Sequence, residues 1–236
     1  MTAKLDEKIQ AILFDLDGTL NQMEVTLFVM NYMKSISASV AHIVSPKIVI
    51  KSLMAASKVV EQNNGEETNI DAYARAFFPI EGHSREEIEP IFDEFYENEF
   101  PKLQKFAQKK PRARSVIQKA FDKGYDVVIA TTPMLPETAI RQRLEWADVE
   151  DFPYKLITTI ENSRATKPNL TYYKLICEEI NRSPEACLMV GDEDKDMVAA
   201  NIGCQTFLIT SKNTKINDSM PEPTYRGTLA DLEEML

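Results

Sequence analysis

The sequence predicts an α/β protein: a doubly wound, mostly parallel five-stranded sheet with an all-helical insert after its first strand. Three observations carry that expectation. Five short apolar runs, residues 11–17, 126–132, 155–159, 186–192 and 205–210, are rich in Ile, Val, Leu, Phe and Thr. They do not alternate cleanly between apolar and polar, as expected of strands buried on both faces. Helical patterns separate the last four of them, the rhythm of a wound parallel sheet. Residues 21–106, between the first two runs, contain no convincing strand and read as helices.

In chain order, the first run leads into this insert. Residues 26–43 and 46–61 have helical apolar spacing, and Asn63-Asn64-Gly65 makes a turn. A helix is expected over residues 70–78, then a break at Glu81-Gly82-His83. Ser84-Arg85-Glu86-Glu87 has the form of a capping box opening a helix through Tyr96. Phe28, Tyr32, Leu53, Phe77, Phe92 and Phe95 are the expected core of this unit. Residues 1–20 and 107–236 are read as the α/β core and 21–106 as a second small domain, with hinges at 20–23 and 104–111. In the core, helices are expected over 111–123, with Pro111 early and Gly124 as the stop, and over 135–147, 170–180 and 196–202.

Composition narrows the chemistry. The 236 residues hold 37 acidic and 27 basic side chains, so the net charge is 27 − 37 = −10. That argues against a nucleic-acid binder, which needs a basic face, and against docking on anionic membranes. Two histidines leave little room for a histidine metal site or a Ser-His-Asp triad. Cys177, Cys187 and Cys204 are odd in number and lack metal-site spacing, so they are read as small buried hydrophobes. The charged start of the chain and the lack of a long apolar run predict neither signal peptide nor membrane span, and hence a cytoplasmic protein.

The chemistry-bearing residues fall at strand ends. The first strand ends Phe14-Asp15-Leu16-Asp17-Gly18-Thr19-Leu20. Alternation places Asp15 and Asp17 on one side of a strand end that faces the ligand crevice. Two carboxylates so close need a cation or a shared proton, and Gly18 permits a sharp turn. The second strand ends with Thr131 and Thr132, whose hydroxyls can hold a phosphate oxygen beside free backbone N–H groups. Lys167 is followed by Pro168, which fixes the turn before the next helix. The fourth strand ends Gly191-Asp192, and Asp196 follows at the start of a helix. Taken singly most of these are weak signals; their order and their placement at sheet edges strengthen one another.

Together they resemble the haloacid dehalogenase superfamily of hydrolases, most of whose members are phosphatases. The family's DxDGT motif is matched by Asp15 to Thr19, its strand-end Thr or Ser by Thr131, its Lys by Lys167 and its GDxxxD motif by Asp192 and Asp196. The resemblance covers about residues 9–20 and 111–232, and the insert lies where the family carries a helical cap over a Rossmann-like core. It implies a Mg²⁺-dependent phosphatase acting on a small phosphorylated metabolite through an aspartyl-phosphate. Asp15 would be the nucleophile and Asp17 the acid and base. Thr131, Thr132 and Lys167 would hold the phosphoryl oxygens. Asp15, Asp192 and the carbonyl of Asp17 would bind the metal, with Asp196 orienting waters or Lys167. The presence of Asp17 speaks against halide displacement, which has no alkoxide to protonate. A sugar phosphomutase stays open, as does a phosphonoacetaldehyde hydrolase using Lys34, Lys47, Lys51 or Lys58 of the insert. So do a non-enzymatic phospho-switch and an idle binding relative. The basic run Lys102, Lys105, Lys109, Lys110, Arg112 and Arg114 either balances nearby acids or steers an anionic substrate. Arg75 and Arg164 are weaker candidates for substrate contact. Neither a protein partner nor an oligomeric state can be read from the chain.

Overall fold

The first strand, β1 (Ala11–Phe14), is buried along its whole length and hydrogen-bonds to parallel neighbours on both sides. This computed structural model describes residues 4–211, 214 and 220–236. The other strands are β2 (Asn21–Met23), β3 (Ala107–Lys109), β4 (Asp126–Ile129), β5 (Leu156–Ile157), β6 (Cys187–Gly191), β7 (Gln205–Ile209) and β8 (Tyr225–Gly227). Six of them form one all-parallel sheet in the order β5-β4-β1-β6-β7-β8. The order reverses at β1, the central strand, so the crevice of the doubly wound sheet opens over the residues that follow it.

Side chains alternate across this sheet. Ile12, Phe14, Val127, Ile129, Leu188, Val190 and Phe207 face one layer of helices, and Leu13, Val128, Cys187 and Met189 face the other. The first layer holds α5 (Ala113–Asp122), α6 (Glu137–Trp146) and α9 (Leu229–Met235). The second holds α7 (Leu170–Glu179), with a 3-10 segment over Val198–Ile202 that follows the one-turn α8 (Asp194–Met197). Asn169 and Thr228 cap α7 and α9 by accepting the backbone N–H groups of Thr171 and Asp231.

The expected five-stranded sheet has a sixth strand. β8 is three residues long and carries one exposed Arg at an edge, so it has no apolar run to announce it. Residues 21–106 are also not strand-free, because β2 pairs with β3 as a short antiparallel ribbon where the insert leaves and rejoins the core. Neither ribbon strand is apolar, so their pairing is set by the chain crossing twice at one place.

The insert holds α1 (Val25–Ser39), α2 (Pro46–Glu61), α3 (Asn69–Phe77) and α4 (Arg85–Asn98), then a 3-10 segment over Phe100–Phe106. Pro46 opens α2 at its first turn, and Ser84 and Glu87 form the expected capping box of α4. All six aromatic and aliphatic residues read as its core lie in one buried cluster. That cluster reaches the sheet domain through α6, where Trp146 stacks on Phe100 with centroids 5.4 Å apart. A second junction is polar. The backbone N–H of Asn69 donates to the Ser163 carbonyl at 2.7 Å and that of Ile70 to the Ile160 carbonyl at 2.9 Å. Among the described residues no helix is long and apolar enough to cross a membrane.

Candidate active site

The carboxylates converge because two glycines make room for them. Asp15 follows β1, and its N–H donates to the Val190 carbonyl of β6 at 2.9 Å, which extends the ladder by one residue. Gly18 then turns with φ +86°, and a Cβ there would run into the Asp192 carboxylate. Gly191, at the end of β6, passes so close to Asp196 that a Cβ would overlap its side chain. Oxygen atoms of Asp15, Asp192 and Asp196 thus lie within 4.8 Å of one another.

One cation sits beneath them. The Lys167 ammonium is wholly buried and donates to Asp15 Oδ1 at 2.7 Å and to Asp196 Oδ1 at 2.5 Å. Burial works against its charge, but the two carboxylates outweigh that and hold its pKa well above the ordinary lysine value. Asp192 has no such partner. Burial, with the Asp15 carboxylate beside it, pushes its carboxyl up to about 6, against a 3.0 Å hydrogen bond from the Thr19 hydroxyl. An acid held off its ordinary value by burial and a neighbouring negative charge fits a bound cation. The all-oxygen donor set suits a hard divalent ion such as Mg²⁺.

Asp17 leaves this cluster. Its Oδ1 accepts from Asn21 Nδ2 at 2.9 Å, and its Oδ2 pairs with Nη2 of Arg143 from α6. Arg143 is buried, which lowers its guanidinium to about 10, so it stays cationic near neutral pH. Neither Arg143 nor Asn21 was expected here. The available signal for Arg143 was its spacing: it falls with Ile140, Leu144 and Ala147 on the buried stripe of a helix, where a cation needs a partner.

Thr131 and Thr132 follow β4, and both line a cavity of about 530 Å³ together with Asp15, Asp17, Arg143 and Lys195. The Thr131 carbonyl accepts from Thr158 Oγ1 at 2.9 Å and from the Tyr172 hydroxyl at 2.8 Å, which fixes the strand end. Lys167, Asp192 and Asp196 are not among its lining residues, but Lys167 bonds to Asp15, which is. The far side of the cavity is formed by the insert, with Phe28, Tyr32, Leu53, Tyr73, Phe92 and Tyr96. Lys34, Lys47, Lys51 and Lys58 are not among its lining residues.

The basic run divides. Lys102, Lys109, Arg112 and Arg114 pair with Glu99, Asp148, Glu233 and Asp151 at the surface. Lys110 instead reaches inward and donates to the Gly18 carbonyl. Its pKa is lowered by burial, while Asp192 and Asp15 work to raise it. Arg75 pairs with Glu67 on the surface of the insert. Cys177, Cys187 and Cys204 are buried and unbridged, and Cys177 Sγ and Cys187 Sγ meet at 3.8 Å between α7 and β6.

The sequence pattern of the haloacid dehalogenase-like hydrolases matches residues 9–203. The chain belongs to this hydrolase family. Solved structures of similar fold include a phosphatase of the haloacid dehalogenase family from Thermococcus onnurineus, 19% identical with a TM-score of 0.57, covering 96% of this chain and 97% of that one. The L-2-haloacid dehalogenase of Xanthobacter autotrophicus, with chloropropionic acid covalently bound, is 13% identical with a TM-score of 0.58, covering 96% and 98%. A haloacid dehalogenase-like protein of Streptococcus pneumoniae is 19% identical with a TM-score of 0.54, covering 94% and 95%. No curated protein matches the chain. At these identities the likeness is one of fold, and both phosphatases and dehalogenases of the family share it.

Proposed function

We propose that this hydrolase is a Mg²⁺-dependent phosphatase that acts on a small phosphorylated metabolite through an aspartyl-phosphate on Asp15. The observation that carries the reading is Asp17, which lines the same cavity as Asp15 and is held in place by Arg143 and Asn21. Displacing a halide needs a nucleophile alone, whereas expelling an alkoxide also needs an acid.

The roles follow from the contacts. Lys167 engages Oδ1 of Asp15, so Oδ2 is the attacking oxygen. It forms a bond to phosphorus as the ester P–O bond breaks and Asp17 gives its proton to the departing alkoxide. Asp17 then takes a proton from the water that attacks phosphorus and frees Asp15. Arg143 and Asn21 hold the Asp17 carboxyl in place for both steps. Thr131 and Thr132 supply hydroxyls to the phosphoryl oxygens, and Lys167 and Lys195 offset their charge. Asp15 and Asp192 would hold Mg²⁺, which offsets the repulsion between an anionic nucleophile and an anionic phosphoryl group. Asp196 fixes Lys167 from behind. The insert acts as the cap over the site, residues 21–106 against the core of 1–20 and 107–236. Three free thiols suit a reducing compartment such as the cytoplasm.

Turnover of p-nitrophenyl phosphate with Mg²⁺ and after EDTA tests the proposal. Metal-dependent release that disappears in Asp15→Asn is expected. No metal-dependent release, or full activity in Asp15→Asn, contradicts it.

A further inference from the structure

The cavity changes character with distance from Asp15. Its near end carries hydroxyls, acids and the cations Arg143 and Lys195. Its far end is walled by rings: Phe28 and Tyr32 from α1, Tyr73 from α3, and Phe92 and Tyr96 from α4. The hydroxyls of Tyr32 and Tyr96 bond to each other at 2.7 Å, so these side chains spend their polar tips on one another and leave their rings as wall.

Charge at this far end is one-sided. Arg85 is the cation there, and both its Nε and Nη2 donate to Glu89 Oε1, at 2.8 and 2.7 Å. Asp93 and Glu161 add two acids, and among the described residues neither pairs with a Lys or Arg. A leaving group ending in a carboxylate or a second phosphate would meet net negative charge and no free donor cation. A sugar or polyol would set much of its hydrated surface against aromatic rings, a cost that the few polar side chains there, Ser57 and the acids, offset only in part.

We propose that the physiological ester is the monophosphate of an apolar alcohol, aromatic or branched-alkyl, whose far end bears no negative charge. The proposal rests on the phosphatase reading for the reaction, but the shape and charge of the chamber stand independently of it. Burying a ring-sized group in such a chamber favours it by tenfold or more over a hydrated one.

Matched esters test this: benzyl phosphate, 4-carboxybenzyl phosphate and glycerol 3-phosphate, all primary alkyl monoesters. Benzyl phosphate is expected to show kcat/KM at least about tenfold above each of the others. Asp93 is exposed on α4, so Asp93→Lys should fold, and it is expected to narrow the gap between the benzyl and carboxybenzyl esters about fivefold. Equal or better use of the carboxylated ester or of glycerol 3-phosphate overturns the proposal, as does a gap that Asp93→Lys leaves unchanged. Calorimetry with benzylphosphonate and 4-carboxybenzylphosphonate, which are not hydrolysed, reads the chamber apart from the chemistry. The same binding order with no ester turned over would overturn the phosphatase reading and uphold the chamber. Turnover with the opposite order would overturn the chamber alone.

Discussion

Arg143, buried in α6, pairs with Asp17 in the loop after β1, and so ties the helix that carries the insert's stacking partner Trp146 to the DxDGT segment. The two ends of the pair are unequally sheltered: the Arg143 side chain is 5% exposed and that of Asp17 26%.

The inequality sets a direction for mutagenesis. Asp17→Asn strands a buried guanidinium, and denaturant unfolding is expected to show a loss of about 3 kcal/mol. Arg143→Met strands a carboxylate that water reaches, and is expected to cost about 1 kcal/mol. Both should lose activity. Equal stability losses would mean that the pair does not bear on the fold as described.

Lys167 is held by Asp15 and Asp196, and its side chain is wholly buried. Lys167→Met leaves two buried carboxylates facing each other and is expected to cost about 3–5 kcal/mol by denaturant unfolding. Adding Asp196→Asn should restore part of that loss, because one of the two charges is gone. Additive losses in a double-mutant cycle would contradict the shared ion pair.

Much of this site was legible in the sequence. Asp15, Asp192, Asp196 and Lys167 stand together in space because they occupy strand ends and tight turns, and a parallel sheet delivers strand ends to one edge. Gly18 was visible as a sharp turn, but that Gly18 and Gly191 yield space to the Asp192 and Asp196 carboxylates shows only in the fold. Arg143 and Lys110 were not legible, because each reaches the site across a gap in the chain that only packing closes. Asn21 stands four residues from Asp17, but a polar residue at that spacing does not by itself announce the pairing. Lys110 is instructive: in sequence it is one of a surface run, and only the β2–β3 ribbon turns it toward the Gly18 carbonyl. The edge strand β8 was hidden because an edge needs no apolar run. The apolar lining of the chamber was read only as insert core, since periodicity marks a buried face without saying whether protein or ligand covers it.

Metal binding should register as stability. With Mg²⁺ at roughly a hundred times its Kd, the gain is about 2.7 kcal/mol, or about 5–10 °C in Tm for a chain of this size. Asp192→Asn should abolish the shift. Gly18→Ala should abolish it too, because the added Cβ would overlap the Asp192 carboxylate itself. A shift that survives in Asp192→Asn would place the ion elsewhere.

The central claim is that Asp15 carries the phosphoryl group. Enzyme turning over benzyl phosphate with Mg²⁺ can be quenched in acid, reduced with borohydride and mapped by peptide mass spectrometry. Reduction of an acyl-phosphate converts its aspartate to homoserine. Conversion at Asp15 during turnover, and none without substrate, is the predicted result; turnover with Asp15 unmodified, or conversion at Asp17 or Asp192 instead, would contradict the account.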